Sequence, residues 1–237
     1  MIERVPTGIP ELDAMLTGGI PDKSSVLLKG PPGSFKTIFC LQYLYCGAKN
    51  KKEPGLYVTF NQSIDGIMKQ AEEFGWNFKG LPVEFVAFDT SKDFDVEPHV
   101  VMKIKESGAK RLVIDSLSSY LSRLPVARED FEADQLYDTL KRIPGLAISE
   151  DMLVRALTTR LLRRIAGAET TSIFIYEDLT LENVRQTCEY LMDGVIKLNR
   201  VESIGKRTIT VEKMRYTKHD FIPRNITLTD TGLKIEK

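Results

Sequence analysis

Eight residues, Gly30-Pro31-Pro32-Gly33-Ser34-Phe35-Lys36-Thr37, constrain this chain more than any others. They follow a strand-like run, Ser25-Val26-Leu27-Leu28-Lys29, and precede a helix-like run, Ile38-Phe39-Cys40-Leu41-Gln42-Tyr43-Leu44. A strand, a glycine-rich turn ending in Lys-Thr and a helix is the layout of a phosphate-binding P-loop. Backbone N–H groups of such a turn and of the helix start converge on one concavity and attract phosphate oxygens. Lys36 would reach the terminal phosphates as a point charge, and the Thr37 hydroxyl would help hold Mg²⁺. The pattern G-x-x-x-x-G-K-[ST] expects glycine where Phe35 stands. Glycine there permits close backbone approach and unrestricted angles, so a phenylalanine costs about 1 kcal/mol if strained, or reshapes the pocket. The competing reading is a glycine-rich turn that holds no ligand.

The 237 residues suffice for one large α/β domain, and 33 basic against 33 acidic side chains give no net charge. That balance argues against a nucleic-acid coat, which needs a basic excess. No stretch approaches the roughly 20 apolar residues that span a bilayer, and the first residues carry no apolar signal core. Cys40, Cys46 and Cys188 form no disulfide framework and no metal-ligand spacing. Cys40 and Cys46 read as buried thiols on the helix after the P-loop, and a reducing, cytoplasmic setting is the expectation.

Thr7 is placed to cap a short helix carrying Leu12, Met15 and Leu16, which Gly18-Gly19-Ile20-Pro21 ends. The first strand covers Ser24–Lys29 and the following helix Thr37–Lys49. Gly55–Phe60 is a second buried strand, ending at Asn61-Gln62-Ser63. Ser63 would cap the next helix, which carries Ile67, Met68, Ala71 and Phe74 and closes at Gly75-Trp76. Val83–Phe88 is a third strand, and Val100–Glu106 is helical up to Gly108.

Lys110-Arg111-Leu112-Val113-Ile114-Asp115-Ser116 reads as a fourth strand with an acid at its C-terminal end, the place where ligands bind in parallel α/β sheets. This is a Walker B pattern, weak alone but informative about 80 residues after a P-loop. Asp115 would bind Mg²⁺ through a water, opposite Lys36 and Thr37. Two amphipathic helices follow, Asp130–Arg142 and Asp151–Ile165. The second carries Arg155, Arg160, Arg163 and Arg164, a solvated face, a subunit interface or a polyanion contact. Thr171–Glu177 is a fifth strand. Then Asp193–Leu198, Arg207–Met214 and Arg224–Leu228 alternate with period two. The first two thirds therefore predict a parallel sheet flanked by helices, and the last third antiparallel strands.

Several of these segments together resemble the KaiC-like branch of the RecA-superfamily ATPases, over nearly the whole length. The segments are Thr7-Gly8-Ile9-Pro10 with Leu12-Asp13, Gly18-Gly19-Ile20-Pro21, the second strand and Ala71–Trp76. To these add Ile114-Asp115-Ser116, Tyr190-Leu191 with Asp193-Gly194-Val195-Ile196, and Lys213-Met214-Arg215 with Thr217 and His219. The resemblance implies a single RecA-like domain over 1–237, with the stretch from about Leu121 to Glu150 as an inserted helix. It implies ATP as the nucleotide, held by Gly30, Pro32, Gly33, Ser34, Phe35, Lys36, Thr37 and Ile38, with Mg²⁺ at Thr37 and Asp115. It also implies self-association, for which a hexamer is one size, through Lys213 and Arg215. These would reach the nucleotide of the neighbouring subunit as an arginine-finger arrangement, with Thr217 and His219 on the same face. Otherwise Lys213 and Arg215 are a solvent-facing strand edge.

Phe35 is one departure from the family pattern. Another follows the second strand, where the family has Glu-Glu, one of them the base that polarises the attacking water. This chain has Asn61-Gln62, and neither amide accepts a proton near neutral pH. Gln62 can still orient water, and Asp65 and Glu177 are the nearest substitutes. Loss of the base slows hydrolysis by roughly 10²–10⁴-fold. Tyr216 stands where the family has glycine. The expectation is an ATP-binding protein with weak hydrolysis and a regulatory role through nucleotide-dependent self-association. The alternatives are an active ATPase with a relocated base, a RecA/RadA-like DNA-binding recombination protein, and a scaffold that has lost nucleotide binding.

Overall fold

The computed structural model describes residues 2–88, 96–121, 150–177, 182–202 and 205–236. A two-residue strand β1 (Arg4–Val5) pairs antiparallel with β2 (Ile20–Pro21) around α1 (Pro10–Met15). Then come β3 (Ser25–Gly30), α2 (Lys36–Lys51), β4 (Gly55–Thr59), α3 (Ile64–Glu72) and β5 (Val83–Ala87). They are followed by α4 (Val96–Ser107), β6 (Arg111–Asp115), α5 (Leu117–Leu121), α6 (Glu150–Ala166), β7 (Thr171–Glu177) and α7 (Glu182–Leu191). The chain ends in β8 (Gly194–Val201), β9 (Lys206–Met214), β10 (Arg224–Thr229) and β11 (Gly232–Ile235).

One nine-stranded sheet runs in the order β11-β10-β9-β8-β3-β7-β6-β4-β5. From β8 to β5 all pairings are parallel, and β8 to β11 are joined antiparallel. This is the α/β architecture the residue pattern predicts. Both faces of the parallel part are covered, so its strands read as nearly unbroken apolar runs. Successive residues still part company by face. Val26, Leu28, Ile173 and Ile175 join one core with α1, α2 and α3. Leu27, Phe174 and Tyr176 join a second core with α4, α5, α6 and α7.

Two buried cations tie the layers together. Arg111 donates from Nε to Glu53 at 2.6 Å and from Nη1 to the carbonyls of Pro6 and Tyr43 at 2.7 and 2.8 Å. It crosses α2 at Gly47, where a Cβ would lie 2.1 Å from Nε. Lys29, on the central strand, lies 2.7 Å from both Glu189 of α7 and Glu212 of β9. Burial pulls the Lys29 ammonium down, but the hydrogen bonds and charges of the two glutamates outweigh it and hold its pKa above the ordinary value. Glu212 falls in the bulge that shifts the β8–β9 register between Val195 and Ile196.

The predicted strands recur within a residue or two, apart from Asp193–Leu198, which extends to Val201. Ser63 caps α3 by accepting from the Gly66 amide at 3.2 Å, and Gly75 (φ 69°) ends that helical segment. Thr7 does not cap α1 as expected, because the N-cap is Ile9. Instead Asp13 reaches back and accepts from the Thr7 amide and hydroxyl at 2.6 and 2.7 Å. Cys40 and Cys188 are buried and Cys46 only partly so, and all three are free thiols. The expected helix Asp130–Arg142, and most of the proposed insertion, lie outside the described residues. Among the described residues no helix is long and apolar enough to cross a membrane.

Candidate nucleotide site

The glycine-rich turn leaves the C-terminal end of β3 and enters α2. Gly30 backs against β8 so closely that a Cβ would lie 2.2 Å from the Leu198 carbonyl oxygen. Gly33 (φ 73°) and Phe35 (φ 75°, ψ 17°) are both left-handed. The loop therefore keeps the backbone turn that glycine ordinarily supplies, with phenylalanine in its place. The Phe35 ring packs on the core of the α2 face, and the Arg207 guanidinium lies over it, 4.1 Å from its centroid. Arg207 Nε also donates to the Gly33 carbonyl at 3.0 Å.

Phe35 is the N-cap of α2 and supplies no side-chain hydrogen bond. The first-turn amides of Lys36, Thr37 and Ile38 are thus left to the loop concavity. The Ser34 hydroxyl is buried and has no hydrogen-bond partner among the described residues. Lys36 is buried, and its Nζ donates to the carbonyls of Gly30 and Pro31 at 3.0 and 2.9 Å. Glu177, which ends β7 beside Gly30, brings Oε1 to 3.9 Å from Lys36 Nζ.

Asp115 ends β6, and its Oδ2 accepts from the Thr37 hydroxyl at 3.2 Å and from the Tyr57 hydroxyl. Burial raises the Asp115 pKa above the usual carboxylate range, while the bonds from Tyr57 and Thr37 pull it back. Burial and the facing Asp115 push the Tyr57 phenol well above its ordinary value. A hard cation suits this oxygen set, and convergent amides with an orphan hydroxyl suit a phosphate. The residues present therefore fit Mg²⁺ with a nucleotide triphosphate.

Asn61 and Gln62 are exposed just past β4, where the Thr59 hydroxyl accepts from their amides at 3.4 and 3.1 Å. The Asn61 side-chain amide donates to Ser119 Oγ. A chain of hydroxyls continues from there, Ser119 to Ser116 at 2.8 Å and Ser116 to Ser118 at 3.2 Å. Ser118 Oγ accepts from the Glu177 amide at 3.1 Å, so the Asn61 position and Glu177 belong to one polar network. Asp65 is exposed in the first turn of α3.

Lys213 and Arg215 lie elsewhere. The β8–β9 register puts Lys213 opposite Val195, which pairs with Leu27, so Lys213 lies two strands over and three residues back from Gly30. Its Nζ donates to the carbonyls of Glu189, Tyr190 and Met192 at 2.8, 3.1 and 2.5 Å, closing the C-terminus of α7. Burial, then the neighbouring Arg215, lower the Lys213 pKa. Arg215 pairs with Asp193 at 3.1 Å. Thr217 accepts from Arg4 at 2.6 Å, and the His219 ring stands edge-on to Phe221. Tyr216 keeps a left-handed φ of 59°, as Phe35 does, and its carbonyl accepts from Arg4 at 2.7 Å.

The comparisons with known proteins agree with this architecture. The family described as "ATPase: KaiC" matches residues 5–237. A UPF0273 protein of Methanopyrus kandleri is 32% identical over 99% of this chain and 92% of its own length. A UPF0273 protein of Thermotoga maritima is 31% identical over 99% of this chain and 96% of its own. Among solved structures, a KaiC-like protein of Pyrococcus horikoshii OT3 superposes with a TM-score of 0.79, covering 100% of both chains at 26% identity.

Proposed function

Because the chain belongs to the KaiC-like branch of the RecA-superfamily P-loop ATPases, we propose that it binds Mg-ATP, hydrolyses it slowly and uses the bound nucleotide to control its own association. The observation that carries slow hydrolysis is the pair Asn61-Gln62, two amides at the position the family gives to the water-polarising glutamate. The loop amides and the Ser34 hydroxyl bind the phosphates, and the Lys36 ammonium turns from the Gly30 and Pro31 carbonyls to the terminal phosphate. Thr37 through its hydroxyl and Asp115 through a water would hold Mg²⁺, which would supply positive charge beside the phosphates. An amide can orient a water but cannot take its proton, so turnover is reduced by roughly 10²–10⁴-fold. Self-association rests on the family resemblance of Lys213 and Arg215, which in this chain contact α7 carbonyls and Asp193 rather than their own phosphate loop.

Single-turnover hydrolysis of Mg-ATP tests this reading. The wild type is expected well below the ordinary rate of about 1 per second. Asn61→Glu or Gln62→Glu is expected to raise it, and the mass in solution is expected to grow on adding Mg-ATP. Ordinary wild-type turnover refutes slow hydrolysis. One observation favours a second reading, an active ATPase with Glu177 as base, because that carboxylate stands 3.9 Å from Lys36 Nζ. In that case Glu177→Gln abolishes turnover, and the two glutamate substitutions leave it unchanged or lower it.

A further inference from the structure

We propose that Arg207 is a positioning residue for the phosphate loop, acting through Phe35 as a latch that substitutes for the missing glycine. The proposal takes its ligand from the reading above, but the latch itself is a property of the chain. Phe35 is held at a φ of 75°, a region that side-chain-bearing residues rarely occupy. Something outside the loop must therefore stabilise it. Two contacts from one side chain do so. The Arg207 guanidinium is stacked over the ring at 4.1 Å, and its Nε donates to the Gly33 carbonyl at 3.0 Å. The ring also packs against the apolar core. Phe35 is thus held by both an apolar surface and a cation, with Gly33 fixed two residues upstream.

The strand that carries Arg207 explains why the clamp is rigid. Arg207 pairs directly with Arg200 of β8, and the Leu198 carbonyl of β8 meets Gly30 at the start of the loop. The β8–β9 hairpin accordingly touches the loop at its first residue, its middle and its last turn before the helix. A glycine at position 35 would have more backbone freedom to lose when phosphate binds. Phenylalanine with its latch is ordered beforehand. The strain at Phe35 is offset by contacts that lie outside the ligand.

The test is a double-mutant cycle on the full chain, read in two ways. Without nucleotide, hydrogen exchange of the amides of residues 33–37 is expected to speed up about tenfold in Arg207→Ala, while exchange in the core strands stays as in the wild type. With Mg-ATP, the same variant is expected to bind about tenfold more weakly. In the Phe35→Gly background, Arg207→Ala is expected to have a clearly smaller effect on both readings, limited to loss of the Gly33 hydrogen bond, because there is no ring to hold. Arg207→Lys, which keeps the charge without the planar stack, is expected to behave like Arg207→Ala. Equal effects of Arg207→Ala in both backgrounds would assign Arg207 to direct ligand contact or to general folding, and would overturn the latch. So would unchanged loop exchange in Arg207→Ala. If the wild type binds no ATP, the proposed function falls, while the exchange measurement still decides the latch.

Discussion

Replacing Tyr57 by phenylalanine removes one oxygen from the floor of the site and isolates the contribution of Asp115. Asp115 Oδ2 accepts from only two side-chain hydroxyls among the described residues, those of Thr37 and Tyr57. The Thr37 bond, at 3.2 Å, is long for O–H···O, so Tyr57 is the principal donor. A hydrogen bond to a charged acceptor contributes roughly 1.5–3 kcal/mol, and a loss of about 2 kcal/mol lowers Tm by about 4–8 °C in a chain of this size. The pH dependence distinguishes this from a packing loss. Burial already holds the Asp115 carboxyl above its usual range, and Tyr57 opposes that rise. Without the hydroxyl the folded-state pKa climbs further. The ionised carboxylate is the form that misses the donor, so the penalty is complete at pH values above that raised pKa. It shrinks as pH falls through it and the carboxyl protonates. Thermal unfolding of wild type and Tyr57→Phe between pH 8 and pH 5 measures this directly. A Tm difference that stays constant or grows on acidification would refute the reasoning, and so would no difference at pH 8.

Mg-ATP affinity of the wild type is expected to weaken as pH falls through the raised Asp115 pKa, since Mg²⁺ needs the carboxylate; titration calorimetry across that range checks it. Lys36→Ala is expected to abolish the thermal stabilisation by Mg-ATP, which in the wild type amounts to about 2.7 kcal/mol at a ligand concentration of 100 times Kd. Lys29→Met leaves Glu189 and Glu212 without their shared cation and is expected to destabilise the fold by roughly 3 kcal/mol in urea unfolding, the low end for a broken buried pair because both carboxylates are partly exposed. A triple replacement of Lys29, Glu189 and Glu212 by apolar residues is expected to recover most of that loss.

Much of the site was legible because its parts are local. A P-loop is eight consecutive residues, and a Walker B acid ends one strand, so both declare themselves without knowledge of the fold. The strands of the parallel sheet were legible for a related reason, since burial on both faces leaves short apolar runs between turns. What was hidden depends on residues far apart in the chain. Tyr57 reaches Asp115 across 58 positions and Arg207 reaches Gly33 across 174. No periodicity announces either pairing, because each follows from strand order. Helix α7 was missed, since Glu182–Leu191 is short and mostly polar and its buried stripe is little more than Val184 and Cys188. Strand β11 is a four-residue run near the end of the chain, held by β10. Phe35 and Tyr216 were visible as departures from glycine, but only the backbone shows that the turn is retained at both.

Strand β9 carries Arg207 at one end and Lys213 near the other, six residues or roughly 20 Å along an extended chain. It is paired on both sides over its first half and fastened at its bulge by Lys29. Between the two ends the strand bends at that bulge. The chain thus has one strand running from the rim of its own phosphate loop to the residues that, in the reading above, meet the next copy. In that reading the phosphate cradle and the subunit contact share one strand, and the Lys29 clamp on its bulge sets the angle between them.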